Sequence, residues 1–360
     1  MRVLQLGAYP PPHGGVQTHV AALHGYLRRR GVRSAVINLI RSTRREGEGV
    51  FHPTTAAGVL RLLATLPADI LHLHFGGQVG PRLLGLALVC TLLPRRRVVL
   101  TLHSGGYPTF EAGRRAHPGT PRGAIFRRLD AAIAVNEEIA GVFRRLGVDA
   151  RRIHVIAPHT PVELRSDAAL PPDLERFFAA HAPVVTTVGG LEPEYDVPVQ
   201  IQAFAALRKR HPRAGLLVVG RGSLESELRR LVGATPGGED ILLCGDLPHE
   251  ATLLAIARSQ VLLRTTRYDG DSIAIREAQQ LGVPVVATDN GMRPEGVTLV
   301  PTSDPTALAA AVERVLAAPR PAPRPVDADT GPLGRILALY RTLVSRRSVD
   351  AARAMAPSAG

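Results

Sequence analysis

The chain has 360 residues, a formal net charge of +13 and 45% hydrophobic residues, a length that suits two domains with ordinary cores. Two cysteines, Cys90 and Cys244, exclude a disulfide framework, and because both lie in apolar runs we expect buried free thiols in a reducing compartment. The longest apolar run, Leu83 to Leu93, is too short to span a bilayer. We expect Val3 to Leu6 to be a buried strand rather than part of a secretory signal.

The positive charge is unevenly distributed along the chain. Residues 1–170 hold 23 basic and 10 acidic residues, whereas residues 171–360 hold 21 basic and 21 acidic ones, so the first part carries the whole excess. Such a surface attracts anionic lipid headgroups or lipid-linked phosphates. The alternative is that arginine simply replaces lysine on solvated helix faces, since Lys209 is the only lysine. Aromatic residues are only 4% of the chain, so no nucleic-acid partner is expected.

Short apolar stretches alternate with amphipathic ones from the first residues onward, which predicts an α/β fold. Strands are expected at residues 2–7, 34–40, 70–74, 98–102, 129–135 and 153–156, with helices at 16–30, 83–93 and 136–146. The proline-rich stretch 157–172 is expected to be an interdomain linker. Further strands are expected at 184–188, 216–219, 241–245, 261–263 and 283–287, with helices at 224–231, 249–259, 273–281, 305–317 and 333–347.

The loop Tyr268–Ser272 follows one of these strands and precedes a helix, so it lies where open α/β sheets bind ligands. Asp269 stands before the helix and Glu277 stands on it, a spacing that puts one carboxylate at the reacting part of a ligand and the other deeper, on a vicinal diol. Backbone N–H groups from Gly270 to Ile273 suit an anion such as a diphosphate. The loop therefore predicts a site for a sugar, a ribose and a diphosphate.

The stretch 264–290, with Asp269-Gly270, Glu277-Ala278 and then Gly-Val-Pro-Val-Val-Ala-Thr, resembles the donor-site signature of GT-B retaining glycosyltransferases of family 4. The resemblance implies two Rossmann-like parallel-sheet domains facing across a cleft. Residues 1–165 would be the acceptor side and 173–330 the nucleotide-sugar domain, while the helix 331–347 would return to the first domain before a frayed tail, 348–360.

The resemblance also implies an activity. A hexosyltransferase would move a sugar from a nucleotide-diphosphate donor to a hydroxyl of a glycan or lipid-linked acceptor with retention, in cell-surface polysaccharide or glycolipid assembly. The expected location is the cytoplasm, with peripheral attachment to the inner membrane face through the basic N-terminal half. The alternatives are a catalytically weak nucleotide-sugar-binding homologue and an epimerase of the same architecture. A basic module that binds nucleic acid or membrane is favoured only by the charge.

By the same resemblance, His103 and Asp269 are the catalytic residues, beside the reacting carbon and the donor sugar. No protein nucleophile, metal or other cofactor is expected, since the donor phosphate would accept the acceptor's proton. The donor-binding residues implied are Gly14, Gly15, Gly189, Gly190, Arg267, Gly270, Asp271, Ser272 and Glu277. His13 is expected to assist in the loop of Gly14 and Gly15.

The chain departs from the family pattern at three positions: Asp269 replaces the usual Glu, Gly190 stands where Arg is expected, and Tyr195 where Lys is expected. The two lost cations would stabilise charge on the leaving diphosphate. Our hypothesis is that Arg267 supplies this charge, with Arg221 or Arg264 as substitutes, because a guanidinium suits a diphosphate.

The sequence offers two possible metal sites. His72 and His74, in a strand that resembles the family's Asp-x-x-His-x-His, share one sheet face, but no third ligand is evident nearby. Asp269-Gly270-Asp271 spells Asp-x-Asp, a metal motif of another glycosyltransferase fold, yet Asp271 can instead cap the helix that begins near Ser272.

Overall fold

The computed structural model describes residues 1–11, 14–40, 47–158, 161–162, 164–165 and 167–355, with side chains to Arg346. The chain divides into two compact units. The first contains Met1–Thr160 and Asp327–Gly360, and the second contains Pro161–Val326. The linker was expected at 157–172, which includes this division.

The first unit is a parallel sheet of seven strands in the order β3-β2-β1-β4-β5-β6-β7. The strands are β1 (Arg2–Gly7), β2 (Arg33–Asn38), β3 (Val50–Phe51), β4 (Ile70–Phe75), β5 (Arg97–Leu102), β6 (Ala131–Ala134) and β7 (Ile153–Val155). The helices are α1 (Gly15–Arg29), α2 (Ala56–Thr65), α3 (Pro81–Leu92), α4 (Glu111–Arg114), α5 (Pro121–Phe126) and α6 (Glu137–Arg145). Every residue of β4 is buried, as expected of a central parallel strand covered on both faces.

The second unit is a parallel sheet of six strands in the order β10-β9-β8-β11-β12-β13. The strands are β8 (Val184–Val188), β9 (Gly215–Val219), β10 (Ile241–Gly245), β11 (Val261–Arg264), β12 (Val285–Thr288) and β13 (Thr298–Val300). The helices are α7 (Pro172–Ala180), α8 (Val197–Arg210), α9 (Glu225–Ala234), α10 (His249–Arg258), α11 (Ile273–Gln280) and α12 (Pro305–Ala317).

Each sheet reverses its strand order at one point, and this point determines which loops face a ligand. In the first sheet the reversal lies between β1 and β4, and in the second it lies between β8 and β11. Open α/β sheets bind ligands in the crevice outside the carboxyl ends of the strands at such a point. The loop after β1 and the loops after β8 and β11 are therefore the ligand-facing loops of their units.

The last helix, α13 (Pro332–Met355), belongs to the first unit. Its apolar face recurs at helical spacing through Leu333, Ile336, Leu337 and Tyr340 and packs in one buried cluster with Val3 and other residues of the first sheet. The helix was expected to end at Arg347, but it continues through an alanine-rich stretch to Met355 because alanine is the best helix former.

Several elements were not expected from the sequence. They are β3, α2, α4, α5, α7, α8 and β13. The strand β3 has two residues and β13 has three, too few to show an alternating pattern. The helix α7 starts inside the proline-rich stretch, where Leu174 and Phe177 join the buried cluster around Val184. Within the described residues, no helix combines the length and hydrophobicity that crossing a membrane requires.

Candidate functional site

The loop after β8 in the second unit is shaped by Tyr195. This residue ends a short 3-10 helix, Pro193–Tyr195, and its ring lies against Gly189 and Gly190. A Cβ atom added to Gly189 would lie 2.6 Å from Tyr195 Cδ1, and one added to Gly190 would lie 3.2 Å from Tyr195 Cε2. Glycine at position 189 is therefore required by the close approach of the tyrosine ring.

The guanidinium of Arg264, at the end of the neighbouring strand β11, stands over that ring with Cζ 4.7 Å from the ring centroid. Its Nε donates to Asp269 Oδ2 at 2.8 Å and its Nη1 donates to Val188 O at 2.8 Å. Burial disfavours the charged form, but Asp269 and Tyr195 together outweigh burial and raise the pKa of Arg264. The side chain is a fixed cation, 10% exposed, beside the Gly189–Gly190 loop.

A second buried arginine, Arg293, binds the same carboxylate. Its Nη1 donates to Asp269 Oδ2 at 3.1 Å, and its other nitrogens donate to Thr266 and Thr288. Burial lowers the pKa of Arg293 to about 10, an effect that Asp269 opposes and Arg264 reinforces. Arg293 is not among the residues predicted from the sequence, although its place just after the Asn290-Gly291 turn that follows β12 puts it at the same sheet edge.

Asp269 is saturated on one oxygen. Oδ2 accepts from Arg264, Arg293 and, at 3.2 Å, from Thr266 Oγ1, whereas Oδ1 accepts the N–H of Gly270 at 3.1 Å. Burial alone would raise the pKa of Asp269, but the two arginines hold it below its usual range. The predicted sugar-binding carboxylate is thus ionised and held on Oδ2, and only Oδ1 keeps capacity for a ligand hydroxyl.

The helix cap after this loop differs from the expectation. Ser272, not Asp271, caps α11: its Oγ accepts from Ile275 N at 3.4 Å. Asp271 is instead bound by Arg276, whose Nε and Nη2 each donate at 2.9 Å. Burial raises the pKa of Asp271 although Arg276 opposes it. The N–H groups of the first turn of α11 point toward the loop, as at any helix N-terminus.

Glu277 lies on α11 with 4% exposure and has a basic partner that the sequence did not suggest. His249, the first residue of α10, lies with Nε2 2.6 Å from Glu277 Oε1. Burial opposes protonation of this histidine, but Glu277 outweighs burial and raises the pKa of His249. The ion pair fixes the orientation of the carboxylate predicted to hold a ribose.

The other two arginines of the charge hypothesis are more exposed. The side chain of Arg267 is 57% exposed, with Nε 3.7 Å from Asp196 Oδ2. Arg221 is exposed and lies near Gly245, where an added Cβ would be 3.3 Å from its Nε. Of the three candidates, Arg264 is the one locked against the Gly189–Gly190 loop.

In the first unit, four histidines meet at the carboxyl ends of β4 and β5. His72 and His74 share a sheet face as predicted, with ring centroids 3.9 Å apart. His72 contacts Tyr340 Oη at 2.5 Å and Thr101 Oγ1 at 2.7 Å. His74 Nδ1 lies 3.3 Å from His103 Nε2, and His19, on α1, donates from Nδ1 to Pro158 O at 2.9 Å.

Two imidazoles from distant segments, those of His19 and His103, lie beside His74. One ring nitrogen each of His19, His74 and His103 lies within 4.8 Å of the others, so the trio has a metal-ligand spacing, whereas His72 is engaged elsewhere. Burial lowers the pKa of His19 to about 4 and holds the pKa values of His72, His74 and His103 well below the usual range. The cluster is therefore neutral, and among the described residues His19 Nε2 and His74 Nε2 have no hydrogen-bond partner.

The glycine loop of the first unit leads into α1. Gly14 is the residue before the helix, in extended conformation, and Gly15 begins it. A Cβ on Gly14 would lie 2.8 Å from Gln17 Oε1, the end of a flexible side chain that can move aside. His13, predicted to assist in this loop, lies outside the described residues.

Comparison with known proteins defines the class. Over 98% of this chain and 100% of the other, the fold superposes on the crystal structure of Anabaena HepE in complex with UDP and glucose, with a TM-score of 0.65 and 16% identity. Sucrose-phosphate synthase from Thermosynechococcus elongatus superposes with a TM-score of 0.64 and 18% identity, over 99% of this chain and all of that one. Two Rossmann-like parallel-sheet units of this kind define a GT-B glycosyltransferase fold.

The family follows from sequence comparison. Residues 13–164 match the model described as Glycosyltransferase Family 4, and residues 182–318 match that of Glycosyl transferases group 1. A GDP-mannose-dependent alpha-(1-6)-phosphatidylinositol monomannoside mannosyltransferase of Mycolicibacterium smegmatis is 28% identical over 87% of this chain and 88% of its own length. An alpha-D-kanosaminyltransferase of Streptomyces kanamyceticus is 26% identical over 53% of this chain and 52% of its own length. The chain belongs to the family 4, group 1 glycosyltransferases and is a hexosyltransferase-type enzyme that uses a nucleotide-sugar donor.

Proposed function

We propose that the enzyme transfers a hexose from a nucleoside-diphosphate sugar, with retention at the anomeric carbon, to a hydroxyl of a glycan or lipid-linked acceptor in cell-surface polysaccharide or glycolipid assembly. The observation that carries the proposal is the β11–α11 loop at the strand-order reversal, which holds Asp269 and leads into α11 with Glu277. Three relatives are named as mannosyltransferases of phosphatidyl-myo-inositol or of phosphatidylinositol monomannosides, which supports a lipid-linked acceptor.

In the proposed donor site, Glu277, oriented by His249, binds the two ribose hydroxyls. Asp269 Oδ1 accepts from a sugar hydroxyl, and the backbone from Gly270 to Ser272, at the start of α11, faces the phosphates. In the first unit, His103 would lie beside the reacting carbon, with Gly14 and Gly15 allowing close approach of backbone to the donor. Arg267 remains a predicted donor-binding residue.

The proposed chemistry needs no metal and no protein nucleophile. The leaving phosphate accepts the acceptor's proton, and protein dipoles stabilise the positive charge that develops on the sugar. We propose that the enzyme acts at the inner face of the membrane, because relatives use lipid-linked substrates and residues 1–170 carry an excess of arginine.

The experiment is a thermal-shift panel of UDP, GDP and ADP and their sugars on the wild type and on Glu277→Ala. One nucleotide class should raise the Tm, and the shift should disappear in the variant because the diol loses its acceptor. Exposed Glu137→Ala is the matched control and should respond as the wild type does. Absence of a shift with every nucleotide would contradict the proposal.

A second candidate is a nucleotide-sugar-binding homologue with weak turnover, favoured by glycine at 190 and tyrosine at 195 in place of the two family cations. Binding of a nucleotide sugar without release of nucleotide in the presence of glycan and lipid acceptors would support it. Release of free nucleotide with no acceptor present would instead indicate the epimerase alternative.

A further inference from the structure

At the ligand-facing edge of the second unit, two buried guanidinium groups lie against a single carboxylate. We use the term arginine cluster for Arg264, Arg293, Asp269 and the supporting ring of Tyr195. Two guanidinium groups share the one carboxylate of Asp269, since the neighbouring Asp271 is bound by its own Arg276. An uncompensated buried charge is costly, so a bound anion would stabilise the cluster.

The cluster occupies the place from which the expected cations are missing. Arg264 ends β11, next to the strand β8 that leads into Gly189 and Gly190. A Cβ atom at Gly189 would lie 2.9 Å from Arg264 Nη1, and the ring that supports Arg264 contacts Gly190. The positive charge therefore reaches the same loop from the neighbouring strand rather than from the loop itself.

The three departures from the family pattern depend on one another in this arrangement. Tyr195 needs glycine at 189 and little bulk at 190, because its ring fills the space where side chains from those positions would lie. The ring in turn supports the guanidinium of Arg264 at 4.7 Å, a cation–π distance. Asp269, one methylene shorter than glutamate, accepts from both arginines on Oδ2.

We propose that Arg264 is the cation that binds the diphosphate of the donor in this enzyme, replacing the arginine and lysine absent at Gly190 and Tyr195, and that Asp269 and Tyr195 are the positioning residues that hold its guanidinium. Bonds to Asp269, Val188 and Tyr195 use three of its five N–H groups, which leaves donors for a phosphate oxygen. Arg293 is the second positive charge, behind Asp269. The inference rests on the proposed function, because it assigns a residue to the diphosphate of that donor.

The test compares a nucleoside diphosphate with the same nucleoside monophosphate, by calorimetry on the full chain, using the base found in the thermal-shift panel. Arg264→Gln should reduce the affinity for the diphosphate about 10- to 100-fold, the range for losing hydrogen bonds to a charged group, and leave the affinity for the monophosphate nearly unchanged. Arg264→Lys, which keeps the charge without the fork, should lose less. Arg229→Gln, in an exposed ion pair on α9, is the matched control and should keep the wild-type ratio.

Tyr195→Leu removes the supporting ring without removing an ionised group, so it decides the question if Arg264→Gln does not fold. It should lower the preference for the diphosphate several-fold. The triple variant Arg264→Gln, Gly190→Arg, Tyr195→Lys restores the family's two cations and should recover the preference.

The inference would be overturned if Arg264→Gln folds and keeps the wild-type ratio of diphosphate affinity to monophosphate affinity. If Arg264→Gln does not fold, the same unchanged ratio in Tyr195→Leu would overturn it. A loss of the diphosphate preference in Arg267→Gln but not in Arg264→Gln would overturn it in favour of Arg267. Failure of the proposed function gives a different result, because the wild type would then bind neither nucleotide.

Discussion

The two units handle buried polar groups at their ligand-facing edges in opposite ways. In the first unit, burial holds the pKa values of four histidines low, so His19, His72, His74 and His103 are neutral. In the second unit, Arg264, Arg293 and Asp269 stay ionised because each has a partner of opposite charge. The chain's net charge shows the reverse distribution, since residues 1–170 carry the whole excess. Net charge therefore reports on the solvated surface and not on the charge presented to a ligand.

The largest expected effect on stability comes from the arginine cluster of the second unit. Asp269→Asn would leave two buried arginines side by side without a carboxylate, which should lower the free energy of unfolding by about 3–5 kcal/mol. Chemical denaturation of the full chain measures it. Asp173→Asn, in an exposed ion pair with Arg176, should change it by less than about 1 kcal/mol. Equal stabilities of the two variants would show that the buried cluster is not held by its carboxylate.

The buried neutral histidines of the first unit should lower the stability of the protein in acid. The pKa of His19 is about 4 in the fold and about 6.5 in the unfolded chain, so the unfolded state binds the proton first as the pH falls. Stability from this residue is full above pH 6.5 and is lost progressively as the pH approaches 4, by about 3 kcal/mol in total. The Tm measured from pH 7.5 to 4 should fall accordingly, and His19→Gln should flatten the fall. An identical pH profile in His19→Gln would contradict a neutral buried imidazole.

A smaller effect is expected from the link between the histidines and the last helix. Tyr340 is fully buried and its hydroxyl contacts only His72 among the hydrogen bonds of the described residues. Tyr340→Phe should lower the free energy of unfolding by about 1–2 kcal/mol, because His72 Nδ1 loses its partner. Denaturation measures it, with exposed Thr342→Val as the control on the same helix. An unchanged free energy of unfolding in Tyr340→Phe would mean that water replaces the hydroxyl.

No effect is expected from removing metal. EDTA should leave the rate of sugar transfer unchanged, since the proposed chemistry uses the donor phosphate as the base. A lower rate with EDTA, together with one equivalent of zinc found by elemental analysis, would show instead that the histidine cluster of the first unit holds a metal. His19, His74 and His103 would then be its ligands, because their nitrogens lie within 4.8 Å of one another.

Local pattern determined much of the fold. Short stretches rich in β-branched and aliphatic residues gave β8 and β10 with their observed bounds, because such residues favour strands. The pattern of Asp269 and Glu277 likewise marked the β11–α11 loop, since glycine and acidic residues at a strand end are visible in the sequence. The helix α8 went unrecognised, because its apolar residues surround most of the helix and give little periodicity.

What the sequence determined by itself is the class of the protein: two parallel-sheet units and membership of the family 4 glycosyltransferases, indicated by contiguous motifs. Only the tertiary structure decided which side chains work together. Arg264 and Arg293 are 29 residues apart and meet because β11 and β12 are adjacent strands. His19 joins His74 and His103 because α1 packs against β4, whose neighbour in the sheet is β5. Contacts between residues distant in the chain depend on strand order, which no local pattern contains.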